Sequence, residues 1–152
     1  MRPPDSPGGY LLWLPCRSPA HCVIGKLGSL TLQPGFYLYV GSALGPGGLA
    51  ARLRHHLNGT GKPHWHIDHL RQRLPIRRIW LACGEDRREH RWALALARQP
   101  GIAAPLKGFG SSDCRCPAHL FHMRNPPPLT WGKRILNEGN LLEIQAAWTG
   151  IE

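Results

Sequence analysis

Apolar positions in this chain follow two rhythms, and the switches between them mark its elements. Runs rich in aromatic and aliphatic residues at 10–14, 22–24 and 36–40 predict three short strands, with Tyr37 and Tyr39 on one face of the last. Glycine and proline break up most of residues 15–35. The period then changes. Leu49, Leu53 and Leu57 recur every fourth residue and Gly59 follows as a stop, which predicts a helix through GGLAARLRHHLNG. Arg52 and His56, also four apart, stand together beside that stripe. HWHIDHLRQRL predicts a second short helix with Ile67 and Leu70 inward, residues 76–84 a strand, and EDRREHRWALALARQP a helix whose stripe is Trp92, Ala93 and Leu96. A turn-rich stretch leads to a strand over 119–123, NPPPLTWG reads as a linker, and a last helix is expected over 141–148. This order predicts one α/β (α+β) domain with a small central antiparallel or mixed sheet flanked by helices.

Composition adds a partner class. The chain has 152 residues, enough for one domain, and 19 Lys and Arg against 9 Asp and Glu give a formal charge of +10. A polyanion, DNA or RNA, is the expected partner. Arginine outnumbers lysine, so a general arginine bias accounts for part of the charge, though it does not explain the scarcity of acids. Those acids are dispersed, and a two-metal nuclease, which needs several converging carboxylates, would be hard to build from them. Metal chemistry here would use one ion and borrow charge from arginine. No apolar run approaches the ~20 residues of a membrane helix, and the N-terminal residues lack a signal-peptide pattern. A cytoplasmic setting without a membrane partner is expected, with the five cysteines reduced.

GGYLLWL at the first strand, Tyr39-Val40-Gly41 at the later one, and Arg52 with His56 one turn on resemble the GIY-YIG nuclease superfamily. HWHIDHL and GFGSSDCRCPAHL are similar to a small, stand-alone branch of that superfamily. The likeness covers residues 8–123, leaving 124–152 as a Pro-rich linker and C-terminal helical extension. It departs from the pattern at Gly9, where the first motif carries isoleucine. The resemblance implies a GIY-YIG-like domain and metal-dependent hydrolysis of DNA phosphodiesters with one Mg²⁺ (or Mn²⁺). Glu89 would be the metal carboxylate and Arg52 the phosphate clamp. Tyr10 or Tyr39 would orient or deprotonate water, and His56 would donate a proton or touch phosphate.

Each of these residues also has an ordinary reading. Glu89 and Arg52 suit a solvated helix surface, Tyr10 and Tyr39 a core with bonded hydroxyls, and His56 a helix position without special duty. Gly41 either admits the substrate backbone or supports a turn. Arg54, His64 and His66 are candidate substrate contacts in a basic groove. Cys114, Cys116 and His119 could hold zinc, but the Cys-x-Cys spacing is unlike a zinc knuckle, and small buried thiols are the plainer expectation. The alternative to an endonuclease is a non-catalytic DNA- or RNA-binding module of the same fold. So small a domain leaves little surface for sequence readout, so a partner protein supplying specificity is a further expectation.

Overall fold

The computed structural model describes residues 2–58, 61–111, 116 and 118–145. Its centre is an antiparallel sheet of five strands in the order β6-β4-β1-β5-β7. Strand β1 (Gly8–Cys16) lies in the middle between β4 (Gly35–Ala43) and β5 (Arg78–Cys83). The edges are β6 (Leu120–Met123) and β7 (Leu142–Gln145). A separate hairpin, β2 (Ala20–Ile24) with β3 (Gly28–Leu32), turns on Gly25 at φ 49°. The helices are α1 (Gly48–Asn58), α2 (His66–Arg71), α3 (Arg88–Ala97) and α4 (Leu129–Ile135). The architecture is thus mixed α+β, and no helix among the described residues is long and apolar enough to cross a membrane.

Side-chain alternation sorts the central strands onto two cores. Tyr10, Leu12, Leu14, Tyr37, Tyr39, Ile79 and Leu81 face one side. There Leu49 and Leu53 of α1, Ile67 and Leu70 of α2 and the hairpin's Ile24 and Leu32 pack on them. Burying each such aliphatic side chain contributes about 2 kcal/mol, so the leucine stripe pins α1 to this face. Leu11, Trp13, Leu38, Val40, Trp80 and Ala82 face the other side against Trp92, Ala93 and Leu96 of α3. Covered on both faces, β1 is buried along nearly its whole length, as a central strand must be. The same stripes hold Arg52 over one face and Glu89 over the other.

The C-terminal quarter corrects two expectations. Residues 126–128 are three prolines, yet they open a helix. Proline before the first turn costs nothing, because amides there have no partner within the helix. Gly132 sits mid-helix because a Cβ would strike the Trp80 ring. Residues 142–145, expected as helix, form β7 instead, and pair with the free edge of β5. The pairing brings the Glu143 carboxylate to 2.9 Å from the Trp80 indole N–H and 3.2 Å from Arg78, satisfying a buried donor. The stretch read as linker and extension therefore completes the sheet of the same unit. The hairpin strand β3 also went unforeseen, hidden among glycines and prolines.

Between α4 and β7, Glu138 is buried against α3. It accepts from Arg88 Nε at 2.8 Å, Arg91 at 2.5 Å and the Trp92 indole at 3.3 Å. One carboxylate thus ties the C-terminal segment to the helix that carries Glu89. Removing it strands a buried guanidinium, whose side chain is 11% exposed. Glu138→Ala is expected to lower stability by about 3 kcal/mol in urea unfolding. A loss below about 0.5 kcal/mol, the scale of an exposed pair, would show that the clamp is solvated.

Candidate active site

Strand β6 pairs with β4 only over Phe36 to Tyr39, and Val40 N donates to His119 O at 2.9 Å. Beyond that point β4 runs on past β6 through Gly41, Ser42 and Ala43. Here groups from the two faces of the sheet meet in a cavity of about 180 Å³ lined by Tyr10, Tyr39, Gly41, Ser42, Arg52, His56, Trp65, Glu89 and Gly110. All five expected catalytic side chains and Gly41 are in that lining. Arg54, His64 and His66 are not.

From the α1 face, Arg52 donates to Ser42 O at 3.0 Å and lies over the Trp65 ring at 4.5 Å. A carbonyl at one edge and an indole beneath hold the guanidinium plane with few rotamers left to lose on binding an anion. Trp65 is itself fixed by Asp68, which accepts from the amides of His64 and Trp65 at 2.7 and 2.9 Å. It also meets His55 at 3.2 Å. Burial would raise the Asp68 carboxyl, but these amide hydrogen bonds bring it below the usual range.

Tyr10 and His56 form a buried pair, with Oη and Nε2 2.6 Å apart. Burial pushes the Tyr10 phenol up, against the pull of Arg52. Burial pushes the His56 imidazole down to about 3, helped by His55 and Arg52. Both groups are therefore neutral at pH 7. The positive charge of Arg52 acts on the Tyr10 oxygen, so the phenol is best placed to donate its proton to Nε2, which assigns the other proton of His56 to Nδ1. Nδ1 is buried and has no partner among the described residues. Burial likewise raises Tyr39, which stacks edge-on with Phe109 at 6.1 Å.

Gly41 is opposite Tyr10 in the β1–β4 register. A Cβ there would overlap the Tyr10 ring and hydroxyl. Its φ is not positive, so room for the phenol, more than a turn, calls for glycine. Gly9 plays a similar part on the other face. A Cβ there would sit 3.2 Å from Arg88 Cβ and 3.4 Å from the Trp92 ring. Where the resembled motif has isoleucine, glycine lets α3 approach β1.

From the α3 face, Glu89 reaches the cavity with its side chain 22% exposed. Ser42 Oγ donates to Oε2 at 3.0 Å, and His119 Nδ1 lies 2.9 Å from Oε1. Burial would raise this carboxyl, but His119 and Ser42 outweigh it, so the net shift is downward and Glu89 is ionised at neutral pH.

Ser42, Trp65, Asp68 and His119 complete the site's support. Ser42 directly follows the Tyr-Val-Gly motif and Asp68 closes HWHID, so both were within reach of the motif reading. Nothing in the sequence links His119 to Glu89. Of the other expected contacts, Arg54 is exposed on α1, and His64 is exposed with its ring 4.8 Å from Trp65. His66 turns inward instead, accepting from Gly110 N at 2.8 Å beside Phe109. Cys116 lies 3.4 Å from His90 Nδ1. Cys114 lies outside the described residues.

The His56 shift has a sign that stability can read. Its folded value lies below the unfolded value of about 6.5, so below pH 6.5 the unfolded chain takes up a proton the folded one refuses. Stability is therefore lost as pH falls, by up to about 1.4 kcal/mol per pH unit. Between pH 6.5 and 5, urea unfolding should show this slope reduced in His56→Gln relative to the parent. Equal slopes would mean that His56 titrates in water-like surroundings.

A family model described as "Domain of unknown function DUF123" matches residues 9–138. No curated protein and no solved structure matches the chain.

Proposed function

The chain belongs to the DUF123 family, and we propose that its cavity hydrolyses DNA phosphodiesters with one divalent ion, as the resemblance to GIY-YIG nucleases implies. The observation that carries this reading is the shared cavity of Tyr10, Tyr39, Arg52, His56 and Glu89, drawn from both faces of the sheet. A charge of +10 suits the polyanionic substrate.

The donors fit a hard cation. Glu89 is an ionised carboxylate on the cavity wall, and each of its oxygens, engaged by one neighbour, keeps a lone pair. Mg²⁺ or Mn²⁺ retains most of its waters and takes one or two carboxylates. Bound there, it would neutralise phosphate charge and stabilise the leaving oxygen.

The protein's own residues do the rest. Arg52, held flat between Ser42 O and Trp65, offers parallel N–H groups to two phosphate oxygens without reorganising. Water beside Tyr10 gives its proton to Oη as the phenolic proton passes to His56 Nε2, so no free phenolate forms. The arriving phosphate is negative and raises the proton affinity of His56, favouring that transfer at the moment of attack. Tyr39 walls the cavity and orients the water. Exposed Arg54, Arg87 and Lys62 add phosphate contacts that salt would weaken.

The test is nicking of supercoiled DNA and cleavage of branched oligonucleotides in Mg²⁺ or Mn²⁺. Glu89→Gln and Arg52→Ala should each lower the rate about 100-fold or more, while Glu89→Gln still binds DNA. Tyr10→Phe should lose about 100-fold or more by breaking the proton path. Variants that cut as well as the parent would overturn the assignment. Salt-dependent binding without metal-dependent cutting would favour a non-catalytic nucleic-acid module.

A further inference from the structure

We propose that His90, Cys116 and His119 bind a zinc ion directly beside Glu89. Their ligand atoms all lie within 4.8 Å of one another. Cys116 Sγ is 3.4 Å from His90 Nδ1. A tetrahedral zinc, with Zn–S about 2.3 Å and Zn–N about 2.0–2.1 Å, holds sulfur and nitrogen ligands about 3.5 Å apart. The observed pair therefore already stands at the spacing the ion needs.

His119 supplies the second argument. It is 1% exposed, and its Nδ1 faces Glu89 Oε1 at 2.9 Å. Zinc-binding imidazoles are commonly oriented this way, by a carboxylate on the nitrogen that does not bind the metal. Nε2 is then the binding atom. Cys116 binds as thiolate, its proton passing to solvent. Thiolate with imidazoles selects zinc over Mg²⁺ or Mn²⁺, so this ion and the one assigned to Glu89 would not compete for the same donors.

The ligands differ from those the sequence suggested. The expected set was Cys114, Cys116 and His119; the fold adds His90, one residue after Glu89 on α3. The other three-residue cluster among the described residues, His55, His56 and Asp68, is committed elsewhere, since His56 Nε2 meets Tyr10 and Asp68 accepts two backbone amides. Zinc at His90 would tie Cys116 and His119 to α3 and hold Glu89 against Ser42. The inference stands apart from phosphodiester hydrolysis, because it concerns metal content.

The experiment is elemental analysis of the whole chain, purified without chelator and dialysed against metal-free buffer containing Mg²⁺. About one zinc per chain is expected, retained in Cys83→Ser, which removes an exposed thiol, and largely lost from Cys116→Ser and His90→Gln. Circular dichroism checks that each variant is folded. Cobalt added to the metal-stripped parent should give a thiolate-to-cobalt charge-transfer band, absent in Cys116→Ser. If Cys116→Ser does not fold, His90→Gln and the parent's cobalt band decide the matter. A parent with neither zinc nor the band, or variants that keep their zinc, would overturn the site.

Discussion

A carboxylate anchored over one face of a sheet has to work beside an arginine anchored over the other. The end of β4 makes that possible. Strand β6 stops pairing at Tyr39, so Gly41 and Ser42 project past it with one side of the strand open. Gly41 has no side chain to fill the gap, and the Tyr10 phenol occupies that space. Ser42 then touches both parties, its carbonyl holding Arg52 and its hydroxyl holding Glu89. One residue at a strand end thus sets the distance between a cation and an anion whose helices pack on opposite faces of the sheet.

Packing supplies the rest of the precision. On one face the leucine stripe of α1 fixes Arg52, and Asp68 holds the backbone of Trp65, whose ring lies beneath the guanidinium. On the other, Gly9 lets α3 close on β1, and Glu138 clamps Arg88 and Arg91 from the C-terminal segment. That segment lies outside the strand and helix motifs of residues 8–123, yet it braces the helix that carries Glu89. The family match, reaching residue 138, includes the clamp.

Strands and helices with a strong internal period were legible in the sequence. The leucine stripe at 49, 53 and 57, the aromatic run before Gly41 and the Trp92 stripe each correspond to an observed element. Elements defined by a partner were not. Strand β7 is four residues long, and exists because β5 has an open edge and Trp80 a buried N–H to satisfy. Helix α4 opens on prolines that signal an interruption when read along the chain alone. At the site, residues inside motifs could be named in advance, while the reason for Gly41 and the closeness of His119 to Glu89 depend on the folded register. His90 is the clearest case. In the sequence it is one more polar residue of a basic helix, and only the fold sets it beside Cys116.

The central claim, a divalent ion and a phosphate gathered between Glu89 and Arg52, is tested most directly by anomalous diffraction. Crystals of the protein with a short DNA duplex and Mn²⁺ should show a manganese peak at bonding distance from the Glu89 carboxylate. A phosphate oxygen should be shared between that ion and the Arg52 guanidinium. Manganese absent from the cavity, with Glu89 still bound only to Ser42 and His119 and the DNA lying elsewhere, would contradict the account.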